Sequence, residues 1–394
     1  MRTQWLRRVG YGFFLFLYLA VGWYTFFQFV LEEPDRFSRV LLFDYHIYER
    51  AVAYVWQGRN PYHDVHIGTG FLYPPVALLF LNWTYVLRTW PLAWKASIVW
   101  AGNLLALGGL IAAVMRHYHR SWRASWWWYA LLFSSAPFWI LLMEGQINVW
   151  ILLGLLPWVL DLGTAWLAAG WLWATGLKLT PAVLLLDAWR RRRYRVVAWA
   201  LLGGLGLTIL VELLWPGIWE DYLALLRALR EPVLLNSSAF VAKLYAALPY
   251  GSWRAWFRSH SELVLRIQRL HTAYVLALVL LSQALGYVRA RDRSTPLLVT
   301  LIAFPLLSPV FWVHHYVFWY LPLLFWWAMA PSWRRRLWVH GVLMLLQADY
   351  AAWVAGLPWS RLGLVLYAAI HGWMVYLLVQ QIRALGWKRA YDSK

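Results

Sequence analysis

Residues 43–65 have the sequence FDYHIYERAVAYVWQGRNPYHDV, a polar stretch that follows the first apolar run of the chain. Apolar side chains recur within it at the spacing of a helix. These side chains are Phe43, Ile47, Ala51 and Tyr54. Gly58 ends the pattern, and Asn60-Pro61 begins a turn. The stretch predicts a short helix that lies on a membrane surface and holds Asp44 near the headgroup plane.

The rest of the chain has the composition of a membrane protein. Of its 394 residues, 62% are hydrophobic and 13% are charged. Apolar runs of about twenty residues recur from end to end, as a bilayer core demands. A soluble domain of this length could not cover so much apolar surface. A transmembrane barrel fits poorly, because its strands would alternate in and out of lipid. We expect an all-α polytopic membrane protein.

The charge and cysteine content narrow the function further. The net charge of +19 could indicate nucleic-acid binding, but the basic residues lie mainly in short loops between apolar runs. The positive-inside rule places them there, so no nucleic acid is expected as a partner. The chain has no cysteine, which excludes disulfides and thiolate metal sites. Most of the 33 tryptophans are expected in interfacial belts.

We predict about twelve transmembrane spans in a single domain over residues 1–394. The first is expected to be a retained signal anchor, because its apolar stretch is too long for a signal peptide. The predicted spans are 9–31, 74–89, 95–115, 125–142, 147–162, 164–187, 196–215, 271–289, 294–310, 315–331, 336–355 and 362–383.

Basic connectors set the expected orientation. Twelve spans put both termini on one side with the arginine-rich connectors, and the positive-inside rule makes that side cytoplasmic. These connectors are 190–193, 289–293 and 334–336. The loop with Arg116, Arg120 and Arg123 then falls outside. Either one span is miscounted, or these cations bind an anion.

Two long loops face outward in this topology. The first covers residues 32–73 and carries the predicted surface helix. The second covers residues 216–270 and is too rich in Leu and Trp for a disordered linker. We expect it to lie along the membrane surface as amphipathic helices.

Asp44 is the first candidate site residue. Asp44 and Tyr48 are four residues apart and share a neighbouring helix face. Asp44 either acts in a site at the membrane surface or merely caps the helix. Tyr73 precedes Pro74-Pro75, which favours a fixed helix entry, although Tyr73 can still face the site.

Two further polar segments interrupt apolar runs. Gln146 and Asn148 belong to the run Glu144–Asn148, which is either a functional element at membrane depth or a simple turn with capping. Lys178 precedes Pro181, which breaks the helix ladder. A lysine there suits a phosphate in a water-filled cavity, or it snorkels to the interface.

The pair His314-His315 lies between predicted spans on the same outer side as Asp44. Histidine titrates near neutral pH and can shuttle protons or bind phosphate. A metal pair is disfavoured, because adjacent side chains of a helix point in different directions.

Taken together, these segments resemble glycosyltransferase family 87, the polyprenyl-phosphate-mannose-dependent mannosyltransferases and related arabinofuranosyltransferases of the GT-C superfamily. Five segments occur in the family's order over nearly the whole chain. They are Asp44 with Tyr48 and the 58–62 turn, Tyr73-Pro74-Pro75, Gly145–Asn148, Gly176–Pro181, and Ser308-Pro309 to His314-His315. Asn236-Ser237-Ser238 looks like the family's polar patch.

The resemblance implies a GT-C fold with juxtamembrane helices between the first two spans. It also implies a polyprenyl-phosphate sugar donor and an acceptor hydroxyl on the outer face of the plasma membrane. Asp44 would be the catalytic base, with Glu49 as the fallback, and His314 or His315 would assist at the donor phosphate. The expected substrate-binding residues are Tyr48, Asn60, Tyr62, Tyr73, Gln146, Asn148, Lys178 and Asn236.

The expected activity is an inverting transfer of a sugar, with mannose favoured, to a glycolipid or glycan. No cofactor is expected, and dependence on a divalent metal stays open. The alternative is a transporter or flippase of a lipid-linked sugar, but such proteins usually show repeated halves with paired broken helices. A third hypothesis, an assembly protein, would not need an acid, two histidines and a lysine.

Overall fold

The computed structural model describes residues 2–27, 41–63, 70–228, 240–247, 255, 259–288, 293–308, 313–329, 332–354 and 360–392. Within these ranges the chain consists of helices and their connections, without a strand. The α-helices are α1 (Arg2–Phe27), α2 (Phe43–Trp56), α3 (Val76–Phe80), α4 (Trp83–Val86), α5 (Leu92–His117), α6 (Trp122–Phe133), α7 (Ala136–Glu144), α8 (Asn148–Val159), α9 (Thr164–Leu177), α10 (Leu185–Arg190), α11 (Tyr194–Leu214), α12 (Ile218–Ala228), α13 (Phe240–Ala247), α14 (Ser261–Val288), α15 (Ser294–Ala303), α16 (Tyr320–Met329), α17 (Trp333–Val354) and α18 (Ser360–Asp392). Described 3-10 helices are Thr180–Leu184, Phe304–Leu307 and Val313–Trp319.

Several helices have the length and hydropathy of membrane spans. In the described part of the chain, four qualify alone, and they lie within α5, α11, α14 and α18. The pair α6–α7, which bends by 62° at the Ser134-Ser135 break, makes a fifth if it counts as one span. The protein is therefore a polytopic helical membrane protein, whereas the predicted count of about twelve spans is not confirmed.

The short helix predicted after the first apolar run is present as α2, whereas its position on the membrane surface stays a prediction. Ile47 and Ala51 of its apolar stripe are buried. Gly58 adopts a left-handed φ of 70° just after the helix, and Arg59 N–H donates to the Tyr54 carbonyl over 2.8 Å. This αL termination is the role that glycine serves at helix ends.

The apolar run at 74–89 is not a crossing helix. It forms α3 and α4, of five and four residues, whereas a span needs about twenty. Thr84 Oγ1 donates to the Leu81 carbonyl over 2.8 Å, and Asn82 Oδ1 accepts a bond from Trp56 Nε1 over 2.7 Å. The polar side chains at the break therefore bind the backbone and α2, which hydropathy alone does not reveal.

The loop of Arg116, Arg120 and Arg123 lies beside other basic connectors. Arg120 Nε donates to the Ala328 carbonyl near the end of α16 over 2.7 Å. The hydroxyl of Tyr118, two residues before Arg120, donates to the Val159 carbonyl at the end of α8 over 3.1 Å.

The turns at 161–163 and 190–193 meet at that same end of the molecule. Asp161 pairs with Arg191 over 3.0 Å and with Arg193 over 2.7 Å. Arg191 also donates to the Arg293 carbonyl over 2.7 Å. We call these turns, with residues 116–123, 293 and 328, the basic end.

The placement of the 116–123 loop beside the other basic connectors differs from the outward placement that twelve spans predict. With no crossing at 74–89, one crossing fewer precedes Arg116, and the loop joins the side of the other basic connectors. This placement favours a miscounted span over an outward anion site, the two alternatives that the sequence leaves open.

The predicted span 164–187 is also not a single crossing. α9 begins beside Asp161 at the basic end, and fourteen residues carry the chain about 21 Å away to Lys178. Since Arg191 again pairs with Asp161, the chain must reverse between these points. Lys178 is extended, with φ −154° and ψ 128°, and Pro181 follows it in the 3-10 helix. The break predicted at Pro181 is thus a reversal.

The second long loop contains the expected amphipathic helix α12, together with α13. α14 begins within the predicted loop, at Ser261 rather than near residue 271. Tyr222 of α12 packs against Tyr62, with ring centroids 5.3 Å apart. The second loop therefore contacts the segment that follows α2.

Helices α8 and α9 approach closely at two glycines. A Cβ on Gly154 would lie 2.7 Å from the Gly170 carbonyl oxygen. A Cβ on Gly170 would lie 2.3 Å from the Gly154 carbonyl oxygen. Small residues allow helices in lipid to pack backbone against backbone.

We expect Gly170→Ala to reduce the free energy of unfolding by about 1–3 kcal/mol, because the added methyl meets rigid backbone. Gly206→Ala in α11 is the matched control, since its Cβ would meet no atom within 4 Å. It should be neutral or slightly stabilising through helix propensity. Melting temperatures in one detergent test this, and equal shifts for the two variants would contradict the close approach.

Candidate functional site

Asp44 is positioned by a backbone hydrogen bond that precedes its helix. Leu42 N–H donates to the Met143 carbonyl over 2.6 Å, and Leu42 is fully buried with a left-handed φ of 57°. Leu42 is the N-terminal flanking residue of α2 and makes no side-chain cap. Asp44 lies inside the first turn, so the reading of Asp44 as a mere N-cap is wrong.

Gly145 lets the end of α7 meet the start of α2. Its φ of 69° ends α7, and Gln146 N–H then donates to the Leu141 carbonyl over 2.9 Å. A Cβ on Gly145 would lie 2.8 Å from Tyr45 Cβ and 3.0 Å from Leu42 Cδ2. Both the conformation and the close packing therefore require glycine.

Gln146 connects three of the predicted site residues. Its Nε2 donates to the Asp44 carboxylate, and its Oε1 accepts hydrogen bonds from the hydroxyls of Tyr48 over 3.0 Å and Tyr73 over 3.2 Å. The two hydroxyls are themselves 2.8 Å apart. These residues, from three separate segments, form one hydrogen-bonded network that orients the Asp44 carboxylate.

Glu144 and His314 form a pair beside this network. His314 Nδ1 lies 2.5 Å from Glu144 Oε2. One donor atom each from Asp44, Glu144 and His314 lies within 4.8 Å of the other two. His314 Nε2 is buried and makes no hydrogen bond to the described residues. The pair thus orients the imidazole and leaves Nε2 for another group.

Glu144 is the site residue that sequence reasoning missed. It lies in the polar run Glu144–Asn148, of which the predicted substrate-binding residues are Gln146 and Asn148. An acid directly before the glycine that ends α7 was the available signal, since carboxylates at membrane depth are costly and often functional.

His315 and Lys178 form a second pair. Lys178 Nζ lies 2.9 Å from His315 Nε2. The rings of His314 and His315 are nearly perpendicular, at 87°, with centroids 4.5 Å apart. The two histidines therefore diverge as expected, one toward Glu144 and the other toward Lys178. A continuous line of ionisable groups runs from Asp44 to Lys178.

The surroundings of Asp44 raise its pKa. Burial is the largest cause and the charge of Glu144 the next, while His314 and the bond from Gln146 act in the opposite direction. Together they raise the pKa of Asp44 from 3.8 to about 7. A carboxylate with such a pKa is well matched to proton transfer at neutral pH.

Asn60 and Tyr62 make hydrogen bonds beside the site, and their role in substrate binding stays a prediction. Asn60 Nδ2 donates to Asp221 of α12, and its Oδ1 accepts from Tyr62 N–H over 2.8 Å. The Tyr62 hydroxyl donates to the Tyr73 carbonyl over 2.8 Å. The two residues therefore connect α12 to the backbone of Tyr73.

The other predicted residues have different surroundings. Asn148 is fully buried at the start of α8, and its side-chain amide makes no hydrogen bond to the described residues. Asn236 lies outside the described residues. Glu49, the fallback base, pairs with Lys95 over 2.6 Å and with His46 over 3.4 Å.

Asp44, Glu144 and His314 also have the donor types that could hold a metal ion, with oxygen and imidazole ligands close together. The contact between Glu144 and His314 already occupies one donor atom of each with the other.

Comparison with known proteins gives one family and two similar proteins. The model of glycosyltransferase family 87 matches residues 71–309. A polyprenol-phosphate-mannose-dependent alpha-(1-2)-phosphatidylinositol pentamannoside mannosyltransferase of Mycolicibacterium smegmatis is 28% identical, covering 80% of this chain and 76% of its own. A protein of the same description from Mycobacterium tuberculosis is 27% identical, covering 96% of this chain and 87% of its own. No solved structure matches.

We expect Gly145→Ala to lower the stability more than Gly58→Ala. Both glycines have φ near 70°, but a Cβ on Gly58 would meet no atom within 4 Å. The control therefore measures left-handed strain of about 1–2 kcal/mol alone, and Gly145→Ala adds overpacking of about 1–3 kcal/mol. Melting temperatures compare them. Equal losses would show that α2 does not press on the end of α7.

Proposed function

The chain belongs to glycosyltransferase family 87, and from this membership we propose that it transfers mannose from polyprenyl phosphate to an acceptor hydroxyl with inversion at the anomeric carbon. The mannosyltransferase-like activity follows from the family and from the named activity of both similar proteins. The observation that supports this mechanism best is the proximity of the Asp44 carboxylate to the Glu144–His314 pair.

Asp44 is the general base in this proposal. As the acceptor oxygen forms its bond to the anomeric carbon, its hydroxyl proton passes to the Asp44 carboxylate. The hydrogen bond from Gln146 and the two tyrosines behind it hold that carboxylate in place. A positioned base typically contributes about 10²–10⁴-fold to the rate.

The leaving group is the polyprenyl phosphate, whose bond to the anomeric carbon breaks while the new bond forms. No acid is needed to protonate it, because phosphate is already a good leaving group. Negative charge nevertheless grows on its oxygens, and positioned donors lower the barrier. His314 offers its buried Nε2, and Lys178 offers its ammonium beside His315.

Glu144 serves in this scheme as a positioning residue. Its Oε2 lies 2.5 Å from His314 Nδ1, so that Nε2 is the nitrogen left for the phosphate. Fixing one ring nitrogen through the hydrogen bond of the other is the usual way in which proteins select the working face of a histidine.

We further propose that the site faces outward and that the basic end is cytoplasmic. The arginine-rich turns meet at one end of the molecule, and the positive-inside rule assigns that end to the cytoplasm. Lys178 and the site are about 21 Å from it along α9. The acceptor would be a phosphatidylinositol mannoside or a related glycolipid, as in the names of the similar proteins.

A transporter of a lipid-linked sugar is the alternative function. It needs no general base, and it would require a sealed membrane to show its activity. Purified protein in detergent, incubated with polyprenyl-phosphate-mannose and acceptor glycolipids, separates the two. Mannose transfer without a compartment supports the enzyme, whereas lipid translocation in vesicles without transfer would support the transporter.

We expect Asp44→Asn to lower kcat by about 10²–10⁴-fold with little change in donor affinity, because the amide retains the shape but cannot take a proton. Glu49→Gln is the matched control: the same chemical change in the same helix, at an acid paired with Lys95 away from the Gln146 network. It should keep most of its activity. If Asp44→Asn stays active or Glu49→Gln is the inactive variant, Asp44 is not the base.

The pH dependence follows from the raised pKa of Asp44. Only the deprotonated carboxylate accepts a proton, so activity should be full above the pKa and be lost as the pH falls through about 7. Below that value, kcat/KM should fall about tenfold per pH unit. Initial rates from about pH 5 to about pH 9 measure this acidic limb of the pH profile. Activity should be recovered on return to neutral pH. A limb near the ordinary aspartate pKa of about 4 would contradict the burial of the base.

A further inference from the structure

A cavity of about 550 Å³ lies at the basic end, far from the site. Its walls are the two turns that precede α9 and α11, residues 161–164 and 192–195. This volume lies within the range of small-ligand sites. The proposed catalysis makes no use of it.

The charged groups on its walls leave a net positive cavity. The acid there, Asp161, is already paired with Arg191 and Arg193. Arg192 and Arg195 are exposed at the rim. Arg192 also donates to the Tyr287 hydroxyl over 3.1 Å, which fixes its guanidinium beside the end of α14. The positive charges of Arg192 and Arg195 therefore remain available to attract an anion, since Asp161 pairs with Arg191 and Arg193.

Two helix N-termini add backbone donors to these arginines. α9 begins at Thr164 and α11 at Tyr194, and neither has a side-chain cap. The first N–H groups of a helix have no partner within it, and the helix dipole favours negative charge there. Arginines with free N–H groups are the donors that bind phosphate.

Exposed aromatic side chains place the cavity at headgroup depth. Trp166, Trp189 and Trp199 lie within two turns of its walls and are 66%, 62% and 63% exposed. Tryptophan concentrates where membrane meets water, and its indole occupies the level of the lipid headgroups. An anion reaching the cavity at that depth is most readily supplied by the bilayer itself.

We propose that this cavity binds the phosphate of an anionic phospholipid headgroup. Basic pockets between membrane helices are suited to such headgroups. The site is separate from the donor phosphate site, because the whole of α9 lies between Lys178 and the cavity. The inference therefore stands or falls independently of the proposed transfer reaction.

The test measures melting of the full chain in detergent with added phosphatidylglycerol, phosphatidylcholine or inorganic phosphate. Phosphatidylglycerol should raise the melting temperature by about 3–6 °C more than phosphatidylcholine does. Arg192→Gln with Arg195→Gln should lose that difference. Arg116→Gln with Arg123→Gln removes the same charge from the same end and should keep it.

A second variant blocks the cavity without changing charge. A Cβ on Gly163 would meet no atom within 4 Å, so Gly163→Trp can fill the space from its wall. It should also abolish the effect of phosphatidylglycerol while the protein still elutes as a folded species. Native mass spectrometry should show one retained phospholipid fewer in both cavity variants than in the wild type.

Three results would overturn the proposal. Equal stabilisation of the wild type and both cavity variants by phosphatidylglycerol would mean that the lipid binds elsewhere. Loss of the effect in the Arg116 and Arg123 control as well would indicate general charge attraction without a site. Full stabilisation by inorganic phosphate alone would identify a free anion, rather than a lipid, as the ligand.

Discussion

The arrangement of the site depends on one backbone hydrogen bond, from Leu42 N–H to the Met143 carbonyl. It joins the start of α2 to the end of α7. Gly145 makes this close approach possible, because any side chain at that position would meet Tyr45 and Leu42. Asp44 lies two residues after Leu42, and Glu144 lies one residue after Met143. Main-chain packing therefore brings the Asp44 and Glu144 carboxylates close together, although their like charges repel.

Membrane physics explains why the polar groups gather at helix ends. Away from water, every backbone donor and acceptor needs a partner, so a chain can leave the helical conformation only where other protein groups satisfy it. The end of α7, the extended Lys178 and the 3-10 helix with His314 are such breaks. Each break exposes polar side chains toward the others, and together they make a site that no single helix could hold.

The sequence predicted α2, its end at Gly58, the break at Pro181 and the different directions of the two histidines, because each depends on local geometry. The sequence-based predictions were wrong or incomplete where the structure depends on contacts between residues that are distant along the chain. An apolar run at 74–89 has the composition of a span, but it forms two short helices, and Asn82 between them accepts a hydrogen bond from Trp56 of α2. The sequence does not show that Glu144 belongs to the site, because its partner His314 is 170 positions further along the chain. In the fold the two side chains lie 2.5 Å apart.

A structure with a non-hydrolysable polyprenyl-phosphonate mannose and an acceptor bound would show which group takes the proton of the acceptor hydroxyl. We expect a carboxylate oxygen of Asp44 to lie within hydrogen-bond distance of the acceptor hydroxyl, on the face of the sugar opposite the phosphonate. The phosphonate itself should contact His314 Nε2 or Lys178. A donor phosphonate bound at the basic end, or an Asp44 carboxylate turned away from the acceptor, would contradict it.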